Sequence, residues 1–227
     1  MVKKVLFFLF FVVFISASAE NNSDLLGLNS DQDWNLIHNF DDSVKVYKKP
    51  VLDKELNAYR VVKQTELDPE KLYSVFENIK NYEQALPSAQ NIDFEFISSK
   101  QDTIYGYQNI HINVPFIKDR HYVYRMLRHN PERGHACWVL QDKEGSFKNY
   151  IDQQSKNRGK PIYLNDGVGV FKVKPNPNTS QYTVSYSLYM DPGGNLPDFL
   201  INMINERGLV NMFRDVLKEA KRISTEG

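Results

Sequence analysis

Apolar and polar residues change rhythm several times along this chain, and each change marks an element. Alternation is clearest in "QYTVSYSLYMD" (181–191), where Tyr182, Val184, Tyr186, Leu188 and Met190 fall on one side and Thr183, Ser185, Ser187 and Tyr189 on the other. A period of two is that of a strand with one buried and one largely wet face. Related patterns predict strands over 43–49, 57–67, 92–98, 103–114, 122–129, 135–142 and 162–175. Between them stand "NPERG", "KEGS" and "NPNTS", whose Gly, Pro and Asn supply the backbone geometry of reversals. The polar stretch from Ser146 to Pro161 is read as a loop or a short extra element.

The period lengthens in two places. In "LDPEKLYSVFENIK", Leu72, Val75, Phe76 and Ile79 recur at helical spacing behind Asp68, a candidate N-cap, and Pro69, suited to the first helical position. Tyr82 to Leu86 forms a second short helix closed by Pro87, and a short helix is expected near Trp34. The last apolar run follows "DPGG" (191–194) and continues towards Arg222. Its first half is apolar around Leu200, Met203 and Ile204. Its second half centres on Leu209, Phe213, Val216 and Ala220. A stripe through Phe199, Met203, Val210 and Leu217 is common to both halves, and Gly208 sits where the face changes. Either the helix kinks at Gly208, or its first half is buried nearly all round. Consecutive strands with segregated helices make the chain α+β, with an antiparallel sheet whose apolar face the terminal helix covers.

The first residues follow a different logic. Lys3 and Lys4 precede an apolar core from Val5 to Ile15, and "ASA" ends at Ala19. Basic start, apolar core and small-residue site are the parts of a cleaved secretory signal, and the core is short of the roughly 20 residues that span a bilayer. The expected organisation is therefore a signal peptide at 1–19, a leader at 20–33, one domain at 34–222 and a tail at 223–227, in a periplasmic or secreted protein. A chain of this size buries a core without staples, and its one cysteine, Cys137, lies in the apolar run "HACWVL", as a buried inert thiol.

Composition narrows function mainly by exclusion. Twenty-eight basic and twenty-eight acidic residues balance, which points away from nucleic acid. The thirteen tyrosines, all in the expected mature chain, pair an apolar body with a polar tip and suit a mixed-polarity cavity. "GVGVF" (167–171) lacks the spacing of a phosphate loop and reads as a bulged strand. The five histidines show no metal spacing, no serine sits in a nucleophile elbow, and Asp119 beside Arg120 reads as a structural salt bridge. No cofactor and no metal are expected, and a monomer is, because the long apolar face is used by the terminal helix.

Two stretches carry a resemblance. "VPFIKDRHYVYRM" (114–126) and "DPGGNLPDFLINMINERGLVNMFRDVLKEA" (191–220) resemble the central signature and the C-terminus of START (StAR-related lipid-transfer) domains, within the helix-grip, Bet v 1-like superfamily. The resemblance spans about Trp34 to Arg222. It implies a curved antiparallel sheet wrapped around a long C-terminal helix, an internal tunnel for one lipid, transient membrane contact and no covalent chemistry. The chain departs from the pattern at His121, which replaces an acid, and at Met126, which stands where some members carry a cavity arginine; Arg125 is adjacent but on the opposite face. The family's strand parity turns Tyr124 and Met126 inward, with Tyr105, Tyr107, Asn109 and His111 on the preceding strand. The opposite parity turns Ile104, Ile110 and Ile112 inward. Tyr186, Met190, Leu200, Met203, Ile204, Val210 and Phe213 complete the expected ligand-binding set. The resemblance leaves two other functions open: a helix-grip enzyme, cyclase- or hydratase-like, using His111 and a tyrosine as acid and base, and a protein-interaction module with a closed cavity.

Overall fold

The structure is a computed structural model that describes residues 27–194, 196–197, 200–201 and 206–226. Ten strands build one sheet: β1 (Asn35–Asn39), β2 (Lys45–Pro50), β3 (Asn57–Thr65), β4 (Ile92–Lys100), β5 (Thr103–Ile110), β6 (Arg120–Leu127), β7 (His135–Leu140), β8 (Ile162–Tyr163), β9 (Gly167–Pro175) and β10 (Tyr182–Met190). Their order across the sheet is β1-β2-β3-β10-β9-β7-β6-β5-β4, all antiparallel, with β8 running parallel to β6 off the main path. Among the described residues there are four helices, α1 (Pro69–Glu77), α2 (Tyr82–Ala85), α3 (Lys148–Asn157) and α4 (Gly208–Thr225). The curved sheet with α4 laid on its inner face is the helix-grip arrangement that the resemblance implied.

Local signals set the helix starts. The Asp68 side chain accepts from Glu70 N at 2.9 Å, and Pro69 occupies the first helical position of α1, so two of the orphan amides at that end are dealt with. In α4 the buried residues Leu209, Val210, Phe213, Val216, Leu217 and Ala220 face the sheet and α1, which is the face that the second half of the terminal pattern marks. The regular helix starts at Gly208 itself. Met203 and Ile204, the leader up to residue 26 and the signal segment lie outside the described residues.

Several expectations are corrected. Trp34 is followed by strand β1 rather than preceded by a helix, and its ring lies 4.2 Å from the Arg60 guanidinium. The predicted strand 162–175 is two strands, and the polar stretch after Ser146 contains the ten-residue helix α3. The outer face of the sheet is not wet. Leu28, Ala58, Cys137, Val139, Val170 and Tyr189 form one buried cluster there, with Trp34 against it, and Tyr107, Val123 and Ile151 of α3 form another. Serines and threonines alternate locally with apolar residues, but chain segments far away in sequence cover them.

Arg120 is not paired with Asp119. Neighbours along a strand project to opposite faces. Arg120 turns inward, almost fully buried, and donates from Nε to Pro192 O (2.9 Å), from a terminal nitrogen to Gly193 O (3.0 Å), and to Lys118 O. Asp119 turns the other way, accepting from Ile112 N at 2.8 Å and meeting His111 Nδ1 at 2.9 Å. Arg120 thus fixes the turn at Gly193 and Gly194, whose φ angles of 65° and 69° lie in the left-handed region that glycine enters without strain.

Candidate functional site

Between the inner face of the sheet and α4 lies a cavity of about 480 Å³, a volume suited to one small organic ligand. Strands β5, β6, β7, β9 and β10 supply its floor, Phe76 of α1 and Tyr82 and Leu86 a side wall, and Leu209, Phe213 and Val216 of α4 the roof. Ser88, Asn91, Asn113, Arg207 and Asn211 also line it and are exposed, so the cavity meets solvent along that rim.

Two glycines shape the floor. A Cβ on Gly106 would come within 2.6 Å of the Tyr124 ring, and one on Gly169 within 2.3 Å of Trp138 Nε1. Both distances are impossible for a real side chain, so these positions let the two rings lie down on the sheet instead of standing up into the space. Trp138 Nε1 donates to Tyr186 Oη at 2.9 Å. Phe76 and Phe171 stack at 4.4 Å.

The polar groups of the floor are neutral. Tyr122 Oη donates to Gln108 Oε1. Tyr124 Oη is buried and makes no hydrogen bond of normal geometry, although the Gln108 side chain lies close enough to oppose the rise that burial imposes on its pKa. Burial pushes the hydroxyls of Tyr122, Tyr124 and Tyr186 well above the ordinary tyrosine range, because an anion there would lose its hydration. Among the described residues, charge appears only at the rim, in Arg207 and in His111. The His111 ring is held by Asp119 at Nδ1 (2.9 Å) and Asp93 at Nε2 (3.0 Å). Burial disfavours its imidazolium, but the two carboxylates together outweigh burial and raise its pKa.

The expected site residues separate into groups. His111, Tyr124, Met126, Tyr186, Met190 and Phe213 line the cavity. Tyr105, Tyr107 and Asn109 do not: β5 pairs with β6 so that Ile104 faces Met126, Gly106 faces Tyr124 and Gln108 faces Tyr122. Opposed residues share a face, so the opposite parity holds on β5 and the odd positions turn outward. Tyr105 lies against Phe147, Tyr107 beneath α3, and Asn109 beside His111. Leu200 and Val210 are buried outside the lining. Sequence reasoning passed over Gln108, Tyr122, Trp138 and Phe171. Tyr122 shares the parity of Tyr124 and was within reach; Gln108 carried no local signal, because its face depends on the pairing of two strands.

A histidine–tyrosine pair does exist, on the other side of the sheet. Tyr107 Oη and His121 Nδ1 are 3.2 Å apart, both essentially inaccessible. Burial, with help from Lys143 and Arg158, pushes the His121 pKa down to about 4. Neither residue of this pair is among those that line the cavity.

No family model and no curated protein matches the chain. Solved structures do. A STAR-related lipid transfer protein from Xanthomonas axonopodis superposes with a TM-score of 0.62 at 18% identity, over 82% of this chain and 99% of that one. The human StAR-related lipid transfer protein 5 gives 0.64 at 15%, over 89% and 93%. The Zhui aromatase/cyclase of a Streptomyces species gives 0.50 at 12%, over 73% and 93%. At these identities the likeness is one of fold: the chain has the START-type helix-grip architecture, which carries both lipid-transfer proteins and an enzyme.

Proposed function

We propose that this chain is an exported, non-enzymatic carrier that holds one hydrophobic molecule in the cavity under α4, as in an internal tunnel, and passes it between membranes. The aromatic-walled cavity, uncharged among its described buried lining residues, carries this reading. Each CH₂ moved from water into it contributes about 0.8 kcal/mol, so an alkyl chain binds without any ionic contact. The fold supports the kind of ligand: the Xanthomonas and human structures are of lipid transfer proteins. The basic, apolar and small-residue segments up to Ala19 support export.

Catalysis is disfavoured by the state of His111. Both ring nitrogens are engaged by carboxylates, so neither is free to take or give a proton to a guest. A closed interaction module is disfavoured by the cavity itself. Membrane contact has a candidate in Phe116, fully exposed at a positive φ of 66° in the loop that also brings Asn113 and Val114 to the rim.

Native purification followed by extraction and mass spectrometry tests the proposal. One intact hydrophobic molecule per chain is expected. A chain that carries none and takes up no dodecanol or dodecane refutes carriage, and recovery of a chemically altered guest points to catalysis instead.

A further inference from the structure

If, as proposed above, the cavity holds a hydrophobic guest, the buried polar groups of its floor also say which kind. Among the described residues, every buried lining residue is uncharged; the two that bear charge, Arg207 and His111, stand at the rim. A carboxylate or phosphate taken inside would lose its hydration with no cation to meet it, which costs far more than any neutral contact returns. The interior is nevertheless not purely apolar. Gln108, on β5, is 7% exposed and makes one side-chain hydrogen bond, the one from Tyr122. The other half of its amide is bonded to nothing among the described residues and is not sealed off. Beside it Tyr124 Oη makes no hydrogen bond of normal geometry, the Gln108 side chain being its nearest polar influence. Buried polar groups are ordinarily satisfied, and here two stand unmet at the floor of a cavity.

We infer that Gln108, with Tyr122 and Tyr124 beside it, receives the single hydroxyl or carbonyl group of an uncharged amphiphile that enters polar end first. The open half of the amide is its NH₂, which donates to the oxygen of a hydroxyl or of a carbonyl alike, and the aliphatic remainder of the guest fills the space under α4. Anionic lipids are turned away from the interior.

Dodecanol, dodecanoate at pH 8 and dodecane share a chain and differ only at the end. Their affinities are measured by calorimetry and by the fluorescence of Trp138, which lines the cavity. The full chain is expected to bind dodecanol about tenfold more tightly than dodecane and more tightly still than dodecanoate, one net hydrogen bond being worth roughly that ratio. Gln108→Met with Tyr122→Phe removes both bonded partners together, leaving neither orphaned. This double variant should bind dodecanol and dodecane within about twofold of each other. Equal binding of dodecanol and dodecane by the wild type, or dodecanoate bound best, overturns the inference while leaving a hydrophobic carrier intact. A preference for dodecanol that survives in the double variant overturns the assignment to Gln108. Failure of all three probes to bind overturns the carrier as well. The comparison of probes on the unaltered chain decides the matter even if the double variant does not fold.

Discussion

Single side chains decide how much empty space this protein keeps. Gly169 is placed where any Cβ would strike the Trp138 indole at 2.3 Å. Gly169→Ala must lift that ring and break its bond to Tyr186; the expected cost is about 1–3 kcal/mol in urea unfolding, with weaker uptake of dodecane because the ring moves into the cavity. A variant as stable and as capacious as the parent would show that the indole is not held down by this contact. His121 makes the chain acid-sensitive. Its pKa falls from an ordinary 6.5 to about 4 in the folded state, so the unfolded chain binds the extra proton first as pH drops. Stability is full above about pH 6.5 and declines towards pH 4, by on the order of 3 kcal/mol. His111 slopes the other way: its pKa is raised, so its contribution is present below about pH 6.5 and fades as pH rises through its folded value, and its partial exposure keeps that below about 1 kcal/mol. Unfolding measured from pH 8 to pH 4 should therefore show net acid destabilisation, largely absent in His121→Gln. A flat profile in the parent would contradict the buried neutral imidazole.

At the scale of elements, the terminal helix is held at its base and along its side. Arg120 ties the turn at Pro192 and Gly193 to β6. Arg120→Met leaves those carbonyls unmet and should lower unfolding free energy by about 2–4 kcal/mol; a loss below that range would mean that the turn is fixed by its glycines alone. Further along, Arg214 pairs with Asp42 at 2.9 Å and Asp215 accepts from Ser88 N at 2.8 Å. These clamps lie after Gly208, where the regular part of α4 begins, so opening of the rim is expected to pivot there. Gly208→Ala stiffens that start and should slow release of a bound guest in stopped-flow exchange, at unchanged equilibrium affinity. Equal rates would remove Gly208 from the gating step.

For the whole molecule, the sheet is covered on both faces but for different ends. The outer clusters lie closed beneath α3 and the segment 27–34: Arg158 bridges to Asp93 and Glu95, and Tyr150 Oη donates to Glu95 at 2.6 Å. The inner face keeps a hollow. If the rim is the exit, Phe116 is the residue best placed to enter a bilayer first. Phe116→Ser should lower transfer of a fluorescent lipid between vesicles several-fold without changing affinity, since one exposed aromatic contributes about 2 kcal/mol on burial. Unchanged transfer would place membrane contact elsewhere.

The local pattern by itself determined most of the elements and their order, though not β1, the division of β8 from β9, or α3. Period two along β10 chose the face bearing Tyr186, Leu188 and Met190, and Asp68, Pro69 and the stripe after Gly208 marked helices, because these signals act between residues a few positions apart. What only the tertiary structure decided was pairing. Nine residues separate β5 from β6, too many to fix a register, and a shift of one position moves every side chain to the other face. That is why Tyr105, Tyr107 and Asn109 turn outward and Gln108 turns in. Arg120 reaching Pro192, and α3 closing over Tyr107, are likewise contacts between distant parts of the chain, which no spacing within one segment encodes.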